Sequence, residues 1–266
     1  MSARAPHLAA APARWPILLP AWLAVAVLLL PLVALLLQVD WGRLPNDITS
    51  PLARQALALS AVTTSVTLGV VVLLGTPLAW VLARGSHPLL PWLRALVTVP
   101  LVLPPVVGGV ALLAAWGRGG VVGAALDDAL GITIPFTTVA VIVAETFVAL
   151  PFYVISVEGS MRGLDPRYDG IAATLGASPL RTFTRVVIPL IAPGMAAGAA
   201  LAWARALGEF GATITFAGNF PGRTQTVPLA VFTALEQDPD AALALSVAML
   251  GVCVVVLGAL RSRWLP

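Results

Sequence analysis

Arg205 and Glu209 stand four residues apart in the run AWARALGEFGATITF, inside sequence otherwise apolar enough to lie in lipid. Ionised side chains at the centre of a membrane helix cost roughly 2.5–3.5 kcal/mol each on insertion scales, so they need a partner or water. An i,i+4 ion pair supplies one. Two roles remain open for it: a pair that serves structure or opens and closes as a switch, and an arginine that meets an anion. The structural or gating role is preferred to direct anion binding. Glu145 is a second acid in apolar sequence, either a further partner for Arg205 or polar glue between helices. Thr213 and Thr215 offer hydroxyl donors near an outer mouth, and equally hydrogen-bond their own backbone.

Other chemistry is excluded by what the chain lacks. All 15 basic residues are arginine, and there is no lysine. A phosphate-binding P-loop needs its lysine, and so does a Schiff base. If ATP drives this protein, another chain must hydrolyse it. Cys253 is the single cysteine, so no internal disulfide exists. His7 and His87 are the only histidines, and no cluster has the spacing of zinc ligands. No HExxH and no nucleophile–base pair speaks for an intramembrane enzyme. The expectation is a protein that is not an enzyme, holds no metal and binds no cofactor of its own.

The elements that position these residues follow from composition. Of 266 residues 59% are hydrophobic and 10% charged, with a mean hydropathy of +0.96. A soluble domain carries about 25% charged residues, and a compact aqueous fold of this chain would expose too much apolar surface. Six stretches are long and apolar enough to span a bilayer as helices: 17–38, 56–83, 95–116, 137–157, 190–216 and 241–260. The runs are continuously apolar and do not alternate, which selects helices over a barrel. The first exceeds the apolar core of a cleaved signal and lacks its small-residue exit. The third contains Pro100, Pro104, Pro105, Gly108 and Gly109, so that helix must kink or break. A break at membrane depth is tolerated where protein or a watery cavity surrounds it, which leaves a packing bend and a pathway-lining segment both open.

Arginine placement sets the orientation. With the N-terminus inside, Arg4, Arg14, Arg84, Arg94, Arg162, Arg167, Arg181, Arg185, Arg261 and Arg263 are cytoplasmic. Only Arg43, Arg54, Arg118 and Arg223 fall outside. Both termini are therefore expected in the cytoplasm.

The longest cytoplasmic stretch, 158–189, reads EGSMRGLDPRYDGIAATLGASPLRTFTRVVIP. Asp165 and Pro166 make an N-cap and first-turn pair. Tyr168, Ile171, Ala172 and Leu175 then recur on one apolar helical face. Gly176 can close that helix in a left-handed conformation, and Ser178–Pro179 restart a second one. A short amphipathic helix between two spans suits insertion into a groove on a partner, or a berth in the lipid interface.

This segment resembles the signature loop of ABC-importer permeases: E-A-A, three residues, G, nine residues, then I-x-L-P. Gly176 takes the glycine position, and Val186, Ile188 and Pro189 take the later I, L and P positions. Gly170, Ile171 and Ala172 replace E-A-A, with Asp169 the nearest acid, one residue early. The run GEFGATITF is similar to molybdate-importer permeases, whereas sulfate-importer permeases share GEFGA and diverge after it. GTPLAWVLAR at 75–84 and the proline-rich element at 99–105 also look like this group. The similarity extends from about residue 55 onward.

The resemblance implies an all-α integral membrane protein of six transmembrane helices, with the fold of a type I ABC importer permease. It implies a cytoplasmic tail at 1–16, a first helix and external loop at 17–54, a transmembrane domain at 55–261 and a tail at 262–266. Tyr168, Asp169, Ile171, Ala172, Ala173, Leu175, Gly176, Ala177 and Ser178 would form the coupling helix. Arg205, Glu209, Thr213 and Glu145 would line the pathway or its gate. The implied cargo is molybdate, with tungstate, sulfate or thiosulfate as alternatives. The implied partners are a second copy of the chain, two ATPase subunits carrying ATP and Mg, an extracytoplasmic molybdate-binding protein and the plasma-membrane bilayer, with no nucleic acid. An ion-coupled secondary transporter, the rival class, would usually be longer, show repeats and have no reason to keep a docking loop.

Overall fold

A computed structural model describes residues 15–165 and 167–261, with the side chains of 15–17, 169, 257 and 259–261 outside the description. Pro166 and the tails 1–14 and 262–266 therefore lie outside the described residues, and with them Arg4, Arg14 and Arg263, expected on the cytoplasmic side.

Thirteen helices and no strand make up the described residues. In chain order they are α1 (Trp15–Gln38), α2 (Leu44–Ile48), α3 (Pro51–Arg84), α4 (Leu90–Val102), α5 (Pro105–Trp116), α6 (Gly123–Leu130) and α7 (Thr138–Arg162). There follow α8 (Arg167–Thr174), α9 (Pro179–Thr182), α10 (Ile188–Leu207), α11 (Gly211–Phe216), α12 (Val227–Gln237) and α13 (Pro239–Arg261). A π-helical turn, Phe183–Val187, joins α9 to α10.

Five paths are long and apolar enough to cross a membrane, and the pair α4–α5, bent by 119° at its break, makes a sixth if taken as one span. The expected break in the third span thus falls between Leu103 and Pro104. Leu103 precedes a proline and is pushed to extended backbone at φ −68°, ψ 129°, and the next two residues carry no N–H to continue a helical ladder. Helix α3 begins at 51, five residues before the expected 56, because Ser50 Oγ accepts from Ala53 N at 3.3 Å and Pro51 takes the first turn.

The fifth span differs from the expected 190–216 at both ends. It starts at Pro179 and stops at Leu207, so Glu209 lies beyond the helix that carries Arg205. Gly208, a poor helix former, ends α10, and Glu209 then caps α11: its Oε1 accepts from Ala212 N at 2.7 Å.

The core is the meeting of α3, α7 and α10. Val71, Ala79 and Leu82 pack with Tyr153, Val154, Val157 and Met161, and with Ile191, Ala202 and Ala206. Small residues let these backbones close up, as small residues do at membrane helix interfaces. A Cβ on Gly75 would stand 2.7 Å from the Tyr153 ring, and one on Gly198 would stand 2.9 Å from Ser156 Cβ. Helix α1 stays at the edge against α13 with none of its apolar window buried, so lipid is the solvent for its leucines. Its far end is tied by Trp41 Nε1 donating to the Leu36 carbonyl and by an ion pair between Arg43, the residue before α2, and Asp240 of α13.

Candidate translocation and coupling sites

Two breaks in the spans face each other. A Cβ on Gly211 would meet Pro105 Cβ at 2.6 Å, and one on Gly109 would meet Thr215 Cβ at 2.6 Å and the Ala212 carbonyl at 2.9 Å. Glycine is used at this junction for space. Helices α5 and α11, each the second half of a broken path, are pressed together where their chains restart.

Of the four expected pathway residues, Thr213 lies on α11 and Arg205 and Glu209 stand beside its start. Arg205 Nη2 pairs with Glu209 Oε2 at 2.6 Å, although the two residues belong to different pieces of the span. The Glu209 carboxylate is buried and uses both oxygens, one on the arginine and one on the cap of α11, while Arg205 keeps 27% of its side chain exposed. Moving α11 relative to α10 would therefore stretch an ion pair or remove a cap. Glu145 does not join Arg205. Its Oε1 accepts from Thr63 Oγ1 and its Oε2 from Thr67 Oγ1, each at 2.8 Å, so it pins α7 to α3. Thr213 is fully buried and its hydroxyl has no hydrogen-bond partner among the described residues. Thr215 donates to the Gly211 carbonyl of its own helix at 2.9 Å.

Sequence reasoning missed Thr63 and Thr67, and with them Ser60, whose Oγ accepts from Val227 N at 2.8 Å. The signal was present. Ser60, Thr63, Thr64 and Thr67 recur at helical spacing in an apolar run and are all buried. Beside the break lies a groove of about 420 Å³ lined by Gly208, Phe210, Val231, Phe232, Leu235 and Met249. The lining also includes Pro228 and Ser246, and among the described residues it carries no charged side chain.

At the other end of α7 hangs the 158–189 segment. Asp165 Oδ1 accepts from Arg167 N at 2.9 Å, the capping expected of it. Gly176 has φ +75°, with Ala177 N bonded to the Ala172 carbonyl and Gly176 N to the Ala173 carbonyl, each at 3.0 Å. This pair of bonds is a Schellman closure, and glycine meets its left-handed geometry without strain. Ser178 Oγ accepts from Arg181 N at 3.4 Å to start α9.

The apolar face splits between inside and outside. Ala172 is buried, and Ala173 and Ala177 line a cavity of about 440 Å³ against Trp80, Arg84, Pro179 and Thr182. Tyr168, Ile171 and Leu175 point away from the bundle, Leu175 with 81% of its surface exposed. The side chain of Asp169 lies outside the described residues. An edge-to-face pair of Trp80 and Phe183, with centroids 4.8 Å apart, fixes the root of the loop to α3.

The comparisons agree with this architecture. Residues 75–265 match the family described as "Binding-protein-dependent transport system inner membrane component". The molybdenum transport system permease protein ModB of Mycobacterium tuberculosis is 50% identical over 246 residues, 92% of each chain. The sulfate transport system permease protein CysT of Salmonella typhimurium is 35% identical over 248 residues, 90% of this chain and 88% of its own. Among solved structures, a bacterial ABC transporter involved in the import of alginate superposes with a TM-score of 0.73 at 14% identity, covering 94% of this chain and 92% of that one, and so shares the fold. The molecule is a multi-pass, non-catalytic membrane protein, and the chain belongs to the family of ABC-type, binding-protein-dependent importer permeases.

Proposed function

We propose that this chain is the membrane subunit through which an ATP-driven importer passes molybdate. The observation that carries the cargo is the 50% identity, over 92% of both chains, to a molybdenum transport permease. Sulfate is the second cargo to test, because a sulfate permease is 35% identical over 90% of this chain. Two copies pair around a shared pathway, a loaded extracytoplasmic binding protein docks on the outer loops, and both termini stay in the cytoplasm. Tyr168, Ile171 and Leu175 enter a cleft on each of two ATPase subunits, which bind ATP and Mg. Closure of those subunits moves α8 and drives the pathway from inward-facing to outward-facing; hydrolysis resets it.

The residues near the break fit a pathway that releases its cargo. Arg205, the cation beside the break among the described residues, is already paired with Glu209. An anion passing the junction therefore meets a partly neutralised charge and is not held. Selectivity then rests mainly with the binding protein. The test is uptake by proteoliposomes holding the assembled importer and its binding protein, with labelled molybdate and competing sulfate. Molybdate accumulation that excess sulfate leaves intact supports the cargo; accumulation of sulfate alone overturns it.

A further inference from the structure

Near the root of α8 lies a buried polar knot that draws on three helices. Glu158, on α7, is 6% exposed. Its Oε1 receives Nε and Nη2 of Arg94 from α4, each at 2.8 Å, and Nε of Arg162 from its own helix at 3.0 Å. Both arginines also donate to one carbonyl, that of Leu82 in the last turn of α3: Arg94 at 3.1 Å and Arg162 at 3.4 Å. Carbonyls in a last turn have no helical donor and carry the negative end of the helix dipole, so a guanidinium is well matched to them.

The two arginines are not equivalent. Arg162 joins Glu158 within one helix, four residues on, and leaves 51% of its side chain exposed. Arg94 crosses from α4. That helix contains no buried residue; Leu90, Leu93 and Val97 only lean on the core from its edge. A helix so weakly packed can slide in lipid, and its planar arginine fork, bonded at once to Glu158 and Leu82, fixes both its height and its rotation. Helix α7 is separated from α8 by only residues 163–166, and α4 leads into the break at Leu103–Pro104. Beyond that break α5 presses on α11 through Gly109 and Pro105.

We propose that Arg94 is a positioning residue that carries displacement of α7 into α4, and through the break to the α5–α11 junction. Without it α7 still follows the ATPase, but the broken span no longer follows α7. This inference rests on the function proposed above.

The test uses the complete importer, reconstituted with its ATPase and binding-protein partners, and measures molybdate accumulated per ATP hydrolysed. Arg94→Gln is expected to lower that ratio roughly tenfold, a size typical of coupling between sites. Its hydrolysis rate and yield of assembled complex stay within about twofold of wild type, since α8 is untouched. Arg162→Gln, which spares the bridge from α4, keeps the wild-type ratio. Arg94→Lys, which keeps the charge without the fork, falls between. A wild-type ratio in Arg94→Gln overturns the proposal, and so does an equal loss in Arg162→Gln. If Arg94→Gln does not assemble, a full ratio in Arg94→Lys overturns it. A wild-type importer that accumulates no oxyanion overturns the proposed function and this inference with it.

Discussion

The coupling loop and the junction of broken spans both depend on glycine, for opposite reasons. At Gly176 a Cβ would meet nothing within 4 Å, but the backbone is left-handed at φ +75°. At Gly109 and Gly211 a Cβ would collide with the facing chain. The loop needs glycine for conformation and leaves its apolar side chains bare; the junction needs glycine for space and buries its polar ones. One region is built to meet another molecule, the other to meet itself.

The largest effect that can break this contrast is expected at Leu175. Leu175→Asp places a charge on the highly exposed leucine just past the end of α8 and should abolish uptake and ATPase attachment, while insertion, read by membrane fractionation, is unchanged. Gly109→Val comes next. Overpacking costs about 1–3 kcal/mol and should push α5 off α11, lowering thermal stability in detergent along with uptake. Removing the Glu145 carboxyl leaves two buried threonine hydroxyls without their acceptor. Glu145→Ala should cost about 1–3 kcal/mol of stability, while Glu145→Gln, which retains a carbonyl oxygen, should lose less in the same melt. The smallest effect is predicted for Gly176→Ala: about 1–2 kcal/mol of backbone strain with no steric clash, seen as a partial loss of uptake.

Much of this was legible in the chain. The left-handed Gly176, the cap at Ser178 and the break in the third span follow from local backbone rules, which act over a few residues and need no tertiary partner. The Arg205–Glu209 pair was legible too, but for a reason the structure alters. Four residues apart suggested one helix; Gly208 ends that helix, and the pair bridges the gap instead. For Glu145 the sequence leaves two readings, a partner for Arg205 or glue between helices, and the hydroxyls that make it glue come from α3, 78 and 82 residues away. Likewise the span expected to end at 157 runs on to Arg162 and so puts Glu158 and Arg162 on one helix, and Arg94 reaches Glu158 from 64 residues away. Pairings across helices depend on how the bundle packs, and a single sequence read by periodicity does not contain that distance.

The most direct measurement is cellular molybdenum at nanomolar external molybdate, with and without the gene, under excess sulfate. Import of molybdate by this chain predicts a fall in molybdenum on deletion that sulfate does not reproduce in the intact strain. Unchanged molybdenum in the deletion strain, with labelled sulfate uptake lost in its place, would contradict it.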